Sequence, residues 1–278
     1  MSKSPDTLRP EILAYYKKAP EATRLQTGPF KLEFARTKEV IRHTIPAPPA
    51  RILDVGGGTG PYALWLASLG YEVHLIDPVA DLVNEARLRS EKATLPLASC
   101  RIGDARALEA EDCFADVILE LGPLYHLTNR DHRLACLREA LRILSPGGIV
   151  IVAAISRFAS ALDGLFRNLL SDPDFTRIVE RDLHSGVHRN DTGRLDYFTT
   201  AYFHRPVELE EEVLEAGFQD VRVIGLEGPA WLLSDFERRW HDSERREEIL
   251  WIARVLEQEP AIRALSAHLL AVGQKPEN

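Results

Sequence analysis

The stretch Asp54-Val55-Gly56-Gly57-Gly58-Thr59-Gly60 holds the residues whose types and spacing best suit chemistry. It sits between the apolar run Arg51-Ile52-Leu53 and Pro61-Tyr62-Ala63-Leu64-Trp65-Leu66. Glycines at alternate positions allow positive φ and remove side chains that would hold a ligand off the main chain. The amides that follow then face an anion or polar group. The next apolar alternation, Tyr71-Glu72-Val73-His74-Leu75-Ile76, ends at Asp77, where a carboxylate can accept hydrogen bonds from a ribose diol. A glycine turn and an acid at two successive strand ends point to a nucleoside-bearing cofactor. His184 and His188 have the i, i+4 spacing of a shared metal site. Gly186 between them weakens a helix and no HExxH pattern accompanies them, so no metal is predicted.

Those residues need a scaffold of alternating strands and helices. Strands are expected over residues 51–55, 72–76, 99–102, 116–120 and 149–155. The helix between the first two opens on Pro61 and stops at Gly70. Another, over about 128–144, carries Leu134, Leu137, Leu141 and Leu144 on one face before Pro146-Gly147-Gly148 turns the chain. Such alternation predicts a parallel sheet covered on both faces. Helical spacing over 8–18 and 32–45 ends at Pro46-Ala47-Pro48-Pro49. The rhythm breaks over 156–205, where an insertion or substrate lid is expected, with Tyr197 to His204 alternating as a strand. It resumes with a helix over 206–216, a strand over 220–226, a helix over 243–257 and a last strand over 267–272. The chain divides into an N-terminal helical cap and linker (1–49), a cofactor-binding core (50–155), the insertion (156–205) and a C-terminal part of the core (206–278), all one domain.

Length and composition bound the reading. With 278 residues, 45% hydrophobic and 27% charged, the chain can bury a full core. No apolar run nears the roughly 20 residues that span a bilayer, so no membrane helix is expected. Met1 to Asp6 lack the apolar segment of a secretory leader, and a cytoplasmic location follows. A net charge of -8 argues against a nucleic-acid partner, since phosphate binding needs a basic face. Cys100, Cys113 and Cys136 lack pairing or zinc spacing.

The glycine loop preceded by Asp54 resembles motif I of class I S-adenosylmethionine-dependent methyltransferases. Asp77 is similar to that family's ribose acid, Gly103-Asp104-Ala105 to its acidic motif beside the adenine, Asp116 to Leu127 to its fourth strand and the loop facing the methyl, and Ser145-Pro146-Gly147-Gly148 to its turn before strand five. The resemblance implies an α/β, Rossmann-like, seven-stranded and mostly parallel sheet with helices on both faces. It also implies an antiparallel last strand, a helical cap, an insertion after strand five, and S-adenosylmethionine as cofactor. The cofactor wall it implies comprises Asp54, Gly56, Gly57, Gly58, Gly60, Asp77, Pro78, Gly103, Asp104, Ala105, Glu120 and Leu121. The segment from Tyr15-Tyr16 to Thr37 looks like the cap of small-molecule members, with Arg36 as the planar guanidinium for the cofactor carboxylate or simply a surface arginine.

A sulfonium methyl is already strongly electrophilic, so direct in-line transfer to oxygen, nitrogen or sulfur needs mainly orientation. His126, beside Tyr125, is the candidate base, with packing in the cofactor wall as its alternative role. Tyr16, Tyr125, Tyr197 and Tyr202 are candidates to line the pocket of a small-molecule acceptor, on a monomer or homodimer. The rivals are a protein or RNA methyltransferase, an NAD(P)-dependent oxidoreductase, and a cofactor-binding module without turnover. S-adenosylmethionine and S-adenosylhomocysteine are expected to raise the melting temperature, and NAD and NADP to leave it unchanged; a rise with NAD alone in a thermal-shift assay would reverse the choice.

Overall fold

Continuous apolar runs, buried along nearly their whole length, make β1 (Arg51–Val55) and its neighbours interior strands. The computed structural model describes residues 9–18 and 21–277. Residues 1–8 lie outside that set, and with them the stretch behind the leader reading and Leu8 of the first expected helix. The chain enters through α1 (Pro10–Tyr16), α2 (Glu21–Arg24) and α3 (Phe30–Thr44). After β1 come α4 (Pro61–Ser68), β2 (Glu72–Asp77), α5 (Ala80–Glu91), β3 (Ser99–Ile102) and β4 (Ala115–Glu120). The single-turn α6 (Pro123–His126), α7 (Arg130–Ile143) and the long β5 (Leu144–Ser156) complete this half. Parallel pairing in the order β3-β2-β1-β4-β5 brings the carboxyl ends of β1, β2, β3 and β4 to one edge, where the site forms.

Alternation along each strand assigns its side chains to two cores. Leu53, Val55 and Ile118 pack with Cys136, Leu137 and Ala140 of α7. Ile52, Leu75, Val117 and Leu119 pack with Ile41 of α3, Leu66 of α4 and Ala86 of α5.

The insertion contains α8 (Ala159–Phe166), α9 (Pro173–Ser185), β6 (Val187–His188) and β7 (Ala201–His204). Its start and stop chemistry is local: the Asp172 side chain accepts from the Asp174 amide, Pro173 fills the first turn, and Gly186 ends α9 at φ 74. The strand expected over Tyr197 to His204 shortens to β7, because Tyr197 closes a 3-10 turn and Phe198 takes φ 62. β7 pairs with Ile155 and Ser156 of β5, beyond the point where β4 stops, so the insertion continues the sheet above the site.

The chain finishes with α10 (Pro206–Ala216), β8 (Gln219–Gly225), α11 (Phe236–His241), α12 (Ser243–Leu256) and β9 (His268–Gln274). β9 runs antiparallel between β5 and β8. The seven strands expected are thus present with an antiparallel last member, and β6 and β7 raise the total to nine among the described residues. No described helix is long and apolar enough to cross a membrane.

A buried ion pair joins the insertion to this frame. Arg133 donates to both Glu212 oxygens, at 2.9 and 2.6 Å, and to the Leu127 carbonyl, while its guanidinium lies 3.7 Å from the Tyr202 ring centre. His204 of β7 reaches the same carboxylate at 3.3 Å. Burial alone would raise the Glu212 pKa, but Arg133 and His204 bring it down to about 2. Because that lies below the unfolded value of about 4.3, the stabilisation is complete above it and fades as pH falls toward 2. Arg133→Ala removes the bidentate partner of the buried carboxylate, leaving it only His204 and the more distant Arg130, and is expected to cost about 3 kcal/mol, read as a lower urea midpoint at neutral pH.

Candidate active site

The glycine loop is shaped by close approach. The Gly56 and Gly57 amides both turn back to the Ile76 carbonyl, at 2.7 and 3.3 Å. A Cβ on Gly57 would stand 2.6 Å from Asp54 Oδ2, and one on Gly56, at φ 71, would stand 2.7 Å from Pro123 Cδ. At Gly58, φ 56, a Cβ would meet nothing within 4 Å, because that residue opens onto a cavity. Asp77 ties this loop to β2: its Oδ2 accepts from the Gly58 amide at 2.9 Å and its Oδ1 from the Val79 amide at 2.8 Å.

The cavity above the loop encloses about 490 Å³, within the range of small-ligand sites. The structure brings Asp54, Gly56, Gly57, Gly58, Asp77, Pro78, Gly103, Asp104, Ala105, Leu121, Tyr125, His126 and Tyr16 together in its wall. Gly60 and Glu120 are not in it. Gly60 instead opens α4 in the left-handed conformation, and Glu120 is wholly buried at the end of β4, with Oε1 accepting from the Cys136 thiol and Oε2 without a partner among the described residues. Burial lifts the Glu120 carboxyl to about 7. Burial, helped by the Asp77 charge, does the same to Asp54, with the nearby Ala63 amide opposing weakly. Both Asp54 oxygens are sealed in the interior beneath the loop, with no hydrogen-bond donor of good geometry among the described residues. Asp104 is held by Arg106 through Nε and a terminal nitrogen, and these contacts outweigh burial to keep its pKa low.

A second cavity, of about 760 Å³, lies under the cap and insertion. Its wall includes Tyr15, Phe30, Ile155, Phe166, Phe175, Phe198, Phe203, Trp231 and Leu270. Tyr16, Arg24, Tyr62, Leu121 and Tyr125 line both cavities. At this boundary the Tyr16 hydroxyl lies 2.7 Å from His126 Nε2, while His126 Nδ1 faces the Thr200 carbonyl at 3.3 Å. A carbonyl only accepts, so Nδ1 carries the proton and Nε2 takes the Tyr16 hydroxyl hydrogen. Burial drives the His126 pKa down to about 4, against the Thr200 carbonyl. His126 is therefore a neutral imidazole in the wall of the first cavity, with Nε2 engaged by the Tyr16 hydroxyl.

Two expected contacts are not made. Arg36 is 2% exposed and outside both cavities: its guanidinium meets Glu39, Glu257 and the Leu226 carbonyl, which bind α3 to the C-terminal part. The arginine in both walls is Arg24, paired with Glu33 at 2.8 and 3.2 Å. Tyr202 also lies outside both, its ring between Arg133 and Arg157. Tyr197 does line the second cavity, although its hydroxyl turns away to Asp172. His188 spends both ring nitrogens on Asp182 and the Tyr197 carbonyl, and His184 is exposed. Besides Arg24, sequence reasoning missed Val79, Leu82, Arg106 and His132 of the first wall; Val79 and Arg106 adjoin motif residues, a signal of proximity that was available.

Residues 52–148 match the family model described as a methyltransferase domain. Over 179 residues, 62% of this chain and 67% of the relative, the sequence is 28% identical to the ubiquinone/menaquinone biosynthesis C-methyltransferase UbiE of Neisseria meningitidis. Over 131 residues, 45% of this chain and 49% of the relative, it is 34% identical to the protein of that name from Acidiphilium cryptum. Among solved structures, a SAM-dependent methyltransferase of Methanosarcina mazei superposes with a TM-score of 0.58 at 17% identity, covering 86% of this chain and 98% of that one. Phosphoethanolamine N-methyltransferase 2 of Haemonchus contortus, in complex with phosphomonomethylethanolamine and S-adenosylhomocysteine, gives 0.55 at 18%, covering 87% and 53%. At such identities these structures speak for the fold alone.

Asp77→Ala is expected to weaken S-adenosylhomocysteine binding by about 1–3 kcal/mol in calorimetry, whereas Arg36→Ala lowers stability and leaves that affinity unchanged.

Proposed function

We propose that this chain, an S-adenosylmethionine-dependent methyltransferase of the class I fold, methylates a bulky and largely apolar small molecule held in the second cavity. One observation carries the reading: five residues form a common wall between a site shaped by the cofactor loop and a larger aromatic one. In-line displacement requires that adjacency.

When bound, the cofactor supplies an electrophilic sulfonium methyl. Asp77 and the Gly58 backbone would hold its ribose side and Asp104 would face its adenine side, with Val79 and Leu82 as the apolar wall, while Asp54 would act from beneath the loop. The relatives' names add carbon to oxygen, nitrogen and sulfur as the attacked atom. The depth and aromatic wall of the second cavity, with Tyr15 and Trp231 in it, favour a whole small molecule over a protein or RNA chain. The acidic balance likewise speaks against a nucleic-acid partner, and the reading keeps a cytoplasmic monomer or homodimer.

Where the acceptor loses a proton, Tyr16 and His126 move it together: the Tyr16 oxygen takes it while its own hydrogen passes to Nε2. Tyr16→Phe and His126→Asn are each expected to lower kcat about 10- to 100-fold, and the double variant no further than the worse single one. Since the His126 pKa is depressed to about 4, the imidazole stays neutral above it, and kcat should show no histidine titration between pH 5 and pH 9. Additive losses in the double variant would separate the two residues.

A further inference from the structure

The acceptor cavity is aromatic or aliphatic over most of its wall but has one buried polar end, made of Arg24, Glu33, Glu227 and His268. Arg24 is already paired with Glu33. Glu227, 1% exposed, holds His268 twice, taking Nδ1 at 2.6 Å and the His268 amide at 3.0 Å; Glu33 lies 3.7 Å from Nδ1. A carboxylate facing Nδ1 makes that nitrogen a donor and fixes the ring. Among the described residues no hydrogen bond reaches Nε2, which is not one of the sealed, unsatisfied atoms of the interior, and His268 lines the cavity.

We propose that His268 is the polar anchor of the acceptor, donating from Nε2 to a carbonyl or phenolate oxygen on an otherwise apolar, aromatic molecule. The proposal rests on the second cavity being the acceptor site. Burial disfavours the charged ring, but Glu33 and Glu227 outweigh it and raise the His268 pKa, with Arg24 opposing; a protonated ring presents Nε2 as a donor. Tyr62 stands beside Glu33 as the remaining titratable neighbour, its own pKa raised first by burial and then by that carboxylate. The four charged groups pair internally as two acids and two bases, so what the protonated ring offers is one directional, charge-assisted donor for an oxygen acceptor. Arg24 and Tyr62 also line the first cavity, so an oxygen at His268 would orient the acceptor relative to the Tyr16–Tyr125 boundary.

The probe is 4-nitro-1-naphthol, titrated above its ionisation, against its methyl ether 1-methoxy-4-nitronaphthalene, with the protein saturated in S-adenosylhomocysteine. The parent protein is expected to prefer the naphtholate by about tenfold, the scale of one charge-assisted hydrogen bond. His268→Leu should abolish the preference while leaving ether binding within about twofold. His268→Gln keeps a neutral donor and should lose only part, about threefold. The proposal is overturned if the parent shows no preference or binds neither probe, or if either variant keeps the full preference. Failure of S-adenosylhomocysteine itself to bind in calorimetry would instead strike the cofactor reading, so the two failures are distinguishable.

Discussion

The site depends on one buried carboxylate. Asp77 ends β2 with both oxygens taken by backbone amides, one from the glycine loop after β1 and one from the turn into α5. Two strand ends are thereby held by one side chain, 5% exposed, in surroundings where an unpaired charge would be costly. Asp77 also stands in the cavity wall, so the group that fixes the loop borders the space of a ligand. The space above Gly58 exists because that amide is drawn down to Asp77 while Gly56 packs against Pro123.

Around that fixed point the molecule builds two cavities of different character. The first borrows its polarity from the parallel sheet, whose strand ends deliver Asp54, Asp77 and Asp104 to one edge. The second is assembled from α1, α3, the insertion and the segment before β9, and is mostly aromatic with a polar pocket at His268. Their shared wall brings Tyr16, early in the chain, against His126 after β4. In that contact α1 docks on the loop before β7, where Glu11 accepts from Thr199 and Thr200. The cap and insertion therefore meet over the site.

Much of the core was legible because its signals are local. Strand ends at Val55 and Ile102, the Pro61 helix start and the α10 bounds follow from apolar runs, proline and glycine. α9 was missed although its signals were present: Asp172-Pro173 at the start, Phe175, Ile178 and Val179 at helical spacing, Gly186 at the end. The aromatic residues and histidines of the insertion interrupt the strand–helix alternation and mask that period. Arg36 shows the other kind of error. Its residue type suited a carboxylate ligand, but the rotation of α3 on the sheet turned it toward Glu39 and Glu257 and left Arg24 at the cavity.

By itself the sequence determined the sheet, the glycine loop, the acid at its side and hence the class of cofactor, because each arises from residues near one another in the chain. Only the tertiary structure decided which tyrosine meets His126, which arginine reaches the cavities, and that His268 stands in the wall of the second one. Those contacts join segments remote in sequence, and their geometry is set by how helices and the insertion pack on the sheet rather than by any spacing a linear reading can measure.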